Sequence, residues 1–408
     1  MYNIFSSENK IPEEYQKTAI DGVGKLLSAD KRIKNSLLYF TMGKGKTITA
    51  TQIAVNAQSS DLIEKVLIIA PPSTHQQWTE LLGKYLKVPF KVVSSQWLGR
   101  NQRFLQNDFS KALVIVDEVH QSANRGKVLT KVVTRLIKLC FGAVLMSGTP
   151  FRNKEERLYV VHNWLFEGVE SYESWLHRYC NTEPDRFAYY PKFISFKAGG
   201  IEEFLEHIDD PQYPRIFIEK ESLVFKTIEI NLPMENKAAE LLKTYSIYGS
   251  NRIQISNSVR QKLAYLNYLK YCEYINRDDS GEIALYVPRQ DVLDVIKKYA
   301  DRNPIVYSFS SKVSKLYFEN YKGVAHRVDG KTSQKKKENT INVYKKKGGI
   351  MFATDSISTG TDGLQEATNT IIILDDTMDD TNREQLIGRI AGGFRNSGEA
   401  EVIFIKIQ

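Results

Sequence analysis

The stretch Phe40-Thr-Met-Gly-Lys-Gly-Lys-Thr47 follows the apolar run Leu37-Leu-Tyr-Phe40 and opens into Ile48-Thr-Ala-Thr-Gln-Ile-Ala-Val55. A glycine-rich segment in that setting constrains the chain to strand, loop and helix. Gly43 and Gly45 let the backbone wrap closely round a phosphate, at which the first N–H groups of the helix would point. Lys44, between the two glycines, is counted with them. In such a loop Lys46 reaches the outer phosphates of a nucleotide and the Thr47 hydroxyl binds Mg²⁺. Phe40 stands where the usual pattern has its first glycine. The plain alternative, a tight glycine turn with a chance Lys-Thr, is argued against by an acidic motif further on.

The chain has 408 residues, 42% of them hydrophobic, which suits two or three globular domains. Lysine and arginine number 56 against 48 acidic residues, a net charge of 56 − 48 = +8. With a pI of about 9.0, the balance favours a polyanionic partner, although charge alone equally describes a solvated basic surface. Cys140, Cys180 and Cys272 are too few and too scattered for a zinc site or a disulfide framework, so a reducing interior is expected. No apolar run approaches the roughly 20 residues of a membrane span, and no signal peptide is apparent.

Upstream of the loop, Ile11-Pro-Glu-Glu-Tyr-Gln-Lys-Thr-Ala-Ile20 is expected to start a helix at Pro12. The Gln16 amide is a candidate reader of adenine, since it can both donate and accept. Lys65-Val-Leu-Ile-Ile-Ala70 has the continuous apolar character of a strand buried on both faces of a parallel sheet. At its C-terminal end Pro72, Ser73 and Thr74 are candidate contacts to a nucleic-acid strand, and Trp78 is read as packing against the sheet. Ala112-Leu-Val-Ile-Val-Asp-Glu-Val-His120 is a second buried strand, ending in adjacent carboxylates. Burying two acids is costly unless a cation compensates: Asp117 would hold Mg²⁺, and Glu118 would activate an attacking water. His120 would couple this site to the other half of the chain. A third strand, Ala143-Val-Leu-Met146, leads into Ser147-Gly-Thr-Pro150, where Ser147 and Thr149 are candidate coupling residues.

The order of these motifs resembles that of superfamily 2 helicases and translocases, with a DEVH box. Phe151-Arg-Asn-Lys-Glu-Glu-Arg-Leu-Tyr159 resembles the branch of chromatin-remodelling-type translocases and phage branch-migration helicases. From about 169 to 288 the alternation breaks. Ser171–Tyr179 and Ile201–His207 read as short amphipathic helices, and Arg260 to Ile275 as a longer one whose Tyr265, Tyr268, Tyr271 and Tyr274 form a core stripe. Leu223–Leu232 alternates like a strand at a domain crossing, and Arg277-Asp-Asp-Ser-Gly281 reads as a linker. A second α/β unit follows: a helix over 291–300 and strands over 304–309, 349–353, 370–374 and 400–405. The triplets Lys335–Lys337 and Lys345–Lys347 are expected to flank a helix as phosphate contacts or as a solvated face.

The resemblance implies two RecA-like α/β lobes with parallel sheets, 1–168 and 289–408, joined by a helical insertion over 169–288, with ATP and Mg²⁺ bound between the lobes. It places Ser310, Thr359 and Gly360 on nucleic acid, Asp362 on the nucleotide ribose and Gln385 among the coupling residues. The sixth motif appears as Gln385-Leu-Ile-Gly-Arg-Ile-Ala-Gly392, so Arg389 is present while glycine stands at the second arginine position. Arg395, a turn further on, is the other candidate for charge on the γ-phosphate. The implied activity is that of an ATPase that translocates on or unwinds DNA, with branched DNA a candidate substrate. DNA is favoured over RNA, and a monomer in the cytoplasm of a bacterial or phage-infected cell is expected. An RNA helicase and a nucleotide-gated clamp with little turnover are the alternatives.

Overall fold

The computed structural model describes residues 3–8, 11–41, 43–148, 155–166, 171–184, 190–206, 210–219, 225–234, 268, 270–275, 285–354, 357, 364–374, 383, 386–388 and 400–407. Contacts divide the chain into two compact units, Met1–Glu221 and Ser222–Gln408.

The strands of the first unit are β1 (Asn35–Phe40), β2 (Lys65–Ile69), β3 (Phe90–Val93), β4 (Ala112–Asp117), β5 (Gly142–Met146), β6 (Cys180–Glu183), β7 (Lys192–Phe196) and β8 (Ile216–Glu219). Six of them form one parallel sheet in the order β3-β2-β4-β5-β1-β8. Its strands are the apolar runs of the sequence because both faces are covered. Leu37, Leu67, Val114, Val116 and Leu145 enter one core, and Leu38, Phe40, Ile68, Ile115 and Met146 the other. Successive strand residues point to opposite faces, so one sheet supplies both. The helix Lys46–Ser59 lies on the second face through Ile48, Ala50, Ile53 and Ala54. The helix Val128–Leu139 lies on the first through Val132, Val133 and Leu136.

The second unit repeats this plan. Its strands are β9 (Phe225–Leu232), β10 (Cys272–Ile275), β11 (Leu285–Pro288), β12 (Ile305–Tyr307), β13 (Ala325–Val328), β14 (Ile350–Ala353), β15 (Thr370–Ile373) and β16 (Ala400–Ile407). Six make a parallel sheet in the order β13-β14-β12-β15-β16-β9. Again one face takes Ile305, Met351, Ile371 and Val402, and the other Val306, Phe352, Ile372 and Ile403. Two parallel-sheet α/β units make the two-lobe fold that the motif order implies.

The stretch 169–288 holds the helices Tyr172–Tyr179 and Gly200–Leu205, and it also supplies strands to both sheets. β8 pairs with β1 and β9 with β16, while β6 and β7 pair antiparallel. Three expectations need correcting. The helix expected through Ile275 does not continue that far, because Cys272–Ile275 is β10, antiparallel to β11. A spacing of three among tyrosines was the helical signal, but cross-strand pairing with Leu285–Pro288 decides the conformation there. Tyr271 and Tyr268 are core all the same; Tyr265 and the linker 277–281 lie outside the described residues. The first long helix begins at Glu14 rather than Pro12, with Glu13 extended as its N-cap. The two lysine triplets do not flank a helix: they form the first and last turns of Gln334–Lys347, their centres about 15 Å apart at 1.5 Å per residue. Lys337 is buried and Lys345 pairs with Glu366 at 3.8 Å, so the triplets are two separate features.

Candidate active site

The C-terminal ends of β1, β2, β4, β5 and β8 lie along one edge of the first sheet, the edge at which open parallel sheets bind ligands. Gly43 and Gly45 adopt φ of 81° and 68°, left-handed values that glycine enters without steric cost. A Cβ on Gly45 would stand 2.5 Å from Gln16 Nε2 and 3.2 Å from Ile48 Cγ2. The loop is held from below by its own unit. Tyr15 donates its hydroxyl to the Lys44 carbonyl at 3.1 Å, and Gln16 Nε2 donates to the same oxygen at 3.3 Å. Gln16 is buried, and its Oε1 accepts from the Glu13 N–H at 2.9 Å. The amide expected to read adenine thus also braces the phosphate loop.

On the other side of the loop, the Thr41 N–H and hydroxyl donate to the Glu219 carbonyl at 2.8 and 3.1 Å. Lys44 Nζ lies 3.9 Å from Glu219 Oε1. Lys46 Nζ donates to the Phe40 and Thr41 carbonyls at 2.9 and 3.3 Å. Thr47, half-buried, is in the first turn of the helix, whose leading N–H groups have no intrahelical acceptor.

Two strands from β1, β4 ends at Asp117, and Glu118 takes a left-handed φ of 49°. That conformation is uncommon for a residue with a side chain and turns the chain sharply at the carboxylates. Asp117 Oδ1 accepts from the Glu118 N–H at 3.0 Å and Oδ2 from the Trp78 indole at 3.1 Å. Ser147, buried just after β5, donates to Glu118 Oε2 at 2.9 Å. The same Ser147 oxygen lies 3.1 Å from buried His120 Nδ1, a hydrogen bond in which the ring nitrogen donates when it carries the proton. His120 Nδ1 is also 3.2 Å from Glu118 Oε2.

The two acids are driven apart. Burial, and then the charge of Glu118, push the Asp117 carboxyl up to about 6. Burial also opposes ionisation of Glu118, but the His120 hydrogen bond and charge, with Lys46 and Ser147, outweigh it and hold that carboxyl at about 2.

Asp117 and Thr47 both offer oxygen donors, and no cluster of three His, Cys, Asp or Glu exists among the described residues. One carboxylate and one hydroxyl suit Mg²⁺, which keeps water and substrate phosphates as its other ligands. The glycine loop, with a lysine at its end, fits the phosphates themselves.

Pro72–Thr74 forms a short turn after β2; Thr74 donates its hydroxyl to the Pro71 carbonyl at 3.0 Å. Trp78 is fully buried, as expected, but its contact with Asp117 was not foreseen, nor were those of Tyr15 and Glu219 with the phosphate loop. Nothing local signals them, since each partner is 29 to 178 residues away. In the second unit, Ser310 caps the helix Ser311–Asn320 and accepts from the Val313 N–H. Thr149, Thr359, Gly360, Asp362, Gln385, Arg389, Gly392 and Arg395 lie outside the described residues. Among those described, no helix is long and apolar enough to cross a membrane.

Residues 9–152 match the family model for the res subunit of type III restriction enzymes, and residues 270–392 match that for the helicase conserved C-terminal domain. Together with the fold and the phosphate-loop edge, these matches define a helicase of superfamily 2. More particularly, the chain is 23% identical over 266 residues to the bifunctional helicase and thymine dioxygenase JBP2 of Leishmania braziliensis, covering 55% of this chain and 23% of that protein. It is 23% identical over 246 residues to the Homo sapiens DNA annealing helicase and endonuclease ZRANB3, covering 54% of this chain and 22% of that one. The chain therefore spans less than a quarter of the length of these relatives. In fold it is similar to S. cerevisiae Dbp5 bound to RNA and ADP BeF3, with a TM-score of 0.53, 11% identity, and coverage of 99% of this chain and 86% of that one.

Proposed function

We propose that the chain is an ATP-driven motor on DNA, of the branch that includes chromatin-remodelling-type translocases and phage branch-migration helicases. The observation that carries this reading is the edge of the first sheet, where a glycine loop with Lys46 lies beside an acid pair whose second member, Glu118, is kept ionised by His120 and Ser147. The helicase relatives, two of them enzymes named for action on DNA or thymine, favour DNA over RNA.

In this reading Lys46 exchanges its loop carbonyls for the outer phosphate oxygens, and the leading N–H groups of its helix hold the inner ones. Thr47 and Asp117 would hold Mg²⁺, which would supply charge neutralisation on the phosphate oxygens. Glu118 orients a water whose oxygen bonds to the γ-phosphorus as the bond to the β–γ bridging oxygen breaks, and its carboxylate takes the proton. Ser147 and His120 fix that carboxylate and report its state, with Thr149 and Gln385 in the same coupling role. Gln16 reads the base, Asp362 the ribose, and Arg389 or Arg395 supplies charge to the γ-phosphate. Pro72–Thr74, Ser310, Thr359 and Gly360 grip the strand backbone.

Steady-state ATPase with single-stranded, duplex, forked and four-way DNA and with RNA tests the reading. DNA is expected to stimulate turnover, forked or four-way DNA most. Equal stimulation by RNA would make the chain an RNA helicase, and binding of ATP and DNA without turnover would make it a clamp.

A further inference from the structure

Trp78 is the buried group that the functional reading leaves unused. Two of the other tryptophans give their indole N–H to neutral acceptors, Trp164 to Thr134 Oγ1 and Trp175 to His162 Nδ1, both at 2.9 Å. Trp78 alone among these three gives it to a carboxylate, Asp117 Oδ2 at 3.1 Å. The indole is a donor only, and a hydrogen bond to an ionised acceptor is about twice as strong as a neutral one. The other Asp117 oxygen is occupied by the Glu118 N–H, so the two bonds together set the plane of the carboxyl group.

The helix that delivers this indole is His75–Tyr85, which begins immediately after Pro72–Thr74. The turn is locked to the helix: the Thr74 N–H and hydroxyl both donate to the Pro71 carbonyl at 3.0 Å, and His75 Nε2 is 3.1 Å from the Ala70 carbonyl. Trp78 itself is wedged into the core that also holds Ile68, Ala70 and Leu82. The turn and the indole thus belong to one continuous segment, 72–85, by which a displacement of the turn would be carried to the indole.

We propose that Trp78 is a positioning residue through which a nucleic-acid strand seated on Pro72–Thr74 reorients the Asp117 carboxylate, tuning the site's hold on Mg²⁺. The inference rests on the functional reading given above for Asp117 and for the turn. It adds a route between them inside the first unit, separate from the Ser147–His120 route to Glu118. Partners that orient a metal-binding group typically contribute about 10- to 100-fold to metal affinity or activity.

The test uses the full chain and its four tryptophans, with Trp78→Phe keeping an aromatic ring but removing the N–H. In ¹H–¹⁵N spectra, the indole resonance lost in Trp78→Phe should be the one that moves when a single-stranded oligodeoxynucleotide is added without nucleotide. Asp117→Ala, which keeps the indole and removes its acceptor, should move the same resonance upfield and identifies it even if Trp78→Phe does not fold. In ATPase assays the Mg²⁺ midpoint should rise about 10- to 100-fold in Trp78→Phe, and DNA should lower that midpoint in wild type but not in the variant. An indole resonance indifferent to Asp117→Ala or to the oligonucleotide overturns the inference. So does a folded Trp78→Phe whose Mg²⁺ midpoint and DNA response match wild type. A wild-type chain with no DNA-stimulated ATPase would instead retire the functional reading, and this inference with it.

Discussion

Asp117 closes β4 of the first unit and Asp329 follows β13 of the second, yet their carboxyls are driven in opposite directions. Burial works against ionisation of Asp329, but the Thr332 hydroxyl, the Lys331 N–H and the Arg327 guanidinium hold it below the usual range. Arg327 Nη2 donates to it at 2.6 Å and Thr332 Oγ1 at 3.0 Å. Asp117 has only the neutral N–H groups of Trp78 and Glu118 as hydrogen-bond partners, and burial with the Glu118 charge raises it to about 6. The same sheet plan thus carries one acid that is electrostatically complete and one that is not. A buried acid so perturbed, beside a glycine loop, is the kind of group that marks a candidate functional site; the fold alone does not supply it.

The comparison is sharpened most by Arg389, the residue of the second unit to which the reacting charge is assigned. Arg389→Ala should lower turnover by about 10³ to 10⁵; wild-type rates in a variant that still binds ATP would confine the chemistry to the first unit or to Arg395. Next come Lys46→Ala and Glu118→Gln, each expected to lower turnover by about 10² to 10³ or more in a chain that still folds. Turnover at the wild-type rate by either would break the site assignment. Asp329→Ala should do the reverse, costing about 1.5 to 3 kcal/mol of stability in denaturant titration while turnover stays within a few-fold. If it instead silenced hydrolysis at full stability, the contrast between the two acids would be wrong. The smallest effect is expected from Gly392→Arg, a several-fold rise in kcat with little change in ATP affinity, since charge added there acts mainly in the transition state. No rise, together with an inactive Arg395→Ala, would show that Arg395 already supplies it.

Much of this was legible in the sequence, for a physical reason. A strand buried on both faces must be a continuous apolar run, so Lys65–Ile69, Ala112–Asp117 and Thr370–Ile373 could be read directly. The candidate chemistry at their ends could be proposed from the sequence too, because Gly43, Gly45, Lys46, Asp117 and Glu118 signal it by residue type at fixed local spacing, and the structure brings them to one edge of the sheet. What could not be read is whatever depends on distant partners. Trp78 looked like packing, and it is, but only folding brings its N–H to an acid 39 residues on. Gln16 looked like an adenine reader, and its second bond, to the Lys44 carbonyl, needs the loop in place. Cys272–Ile275 looked helical because its strand partner, Leu285–Pro288, carried no hairpin signal at short range.

The pairing of β8 with β1 also sets a timetable. Thr41 finds its backbone acceptor in Glu219, 178 residues later, so the phosphate loop is unfinished while the first unit is being synthesised. At about 5 to 20 residues per second, the wait is roughly 9 to 36 s. During that time Gly43 and Gly45 are free to sample other conformations, and a nascent chain stopped before Ile216 would carry every motif residue of the first sheet's edge without a closed loop to use them. Nucleotide binding by ribosome-held chains of increasing length should therefore switch on after Glu219 emerges, well after Lys46, Asp117 and Ser147 have all been made.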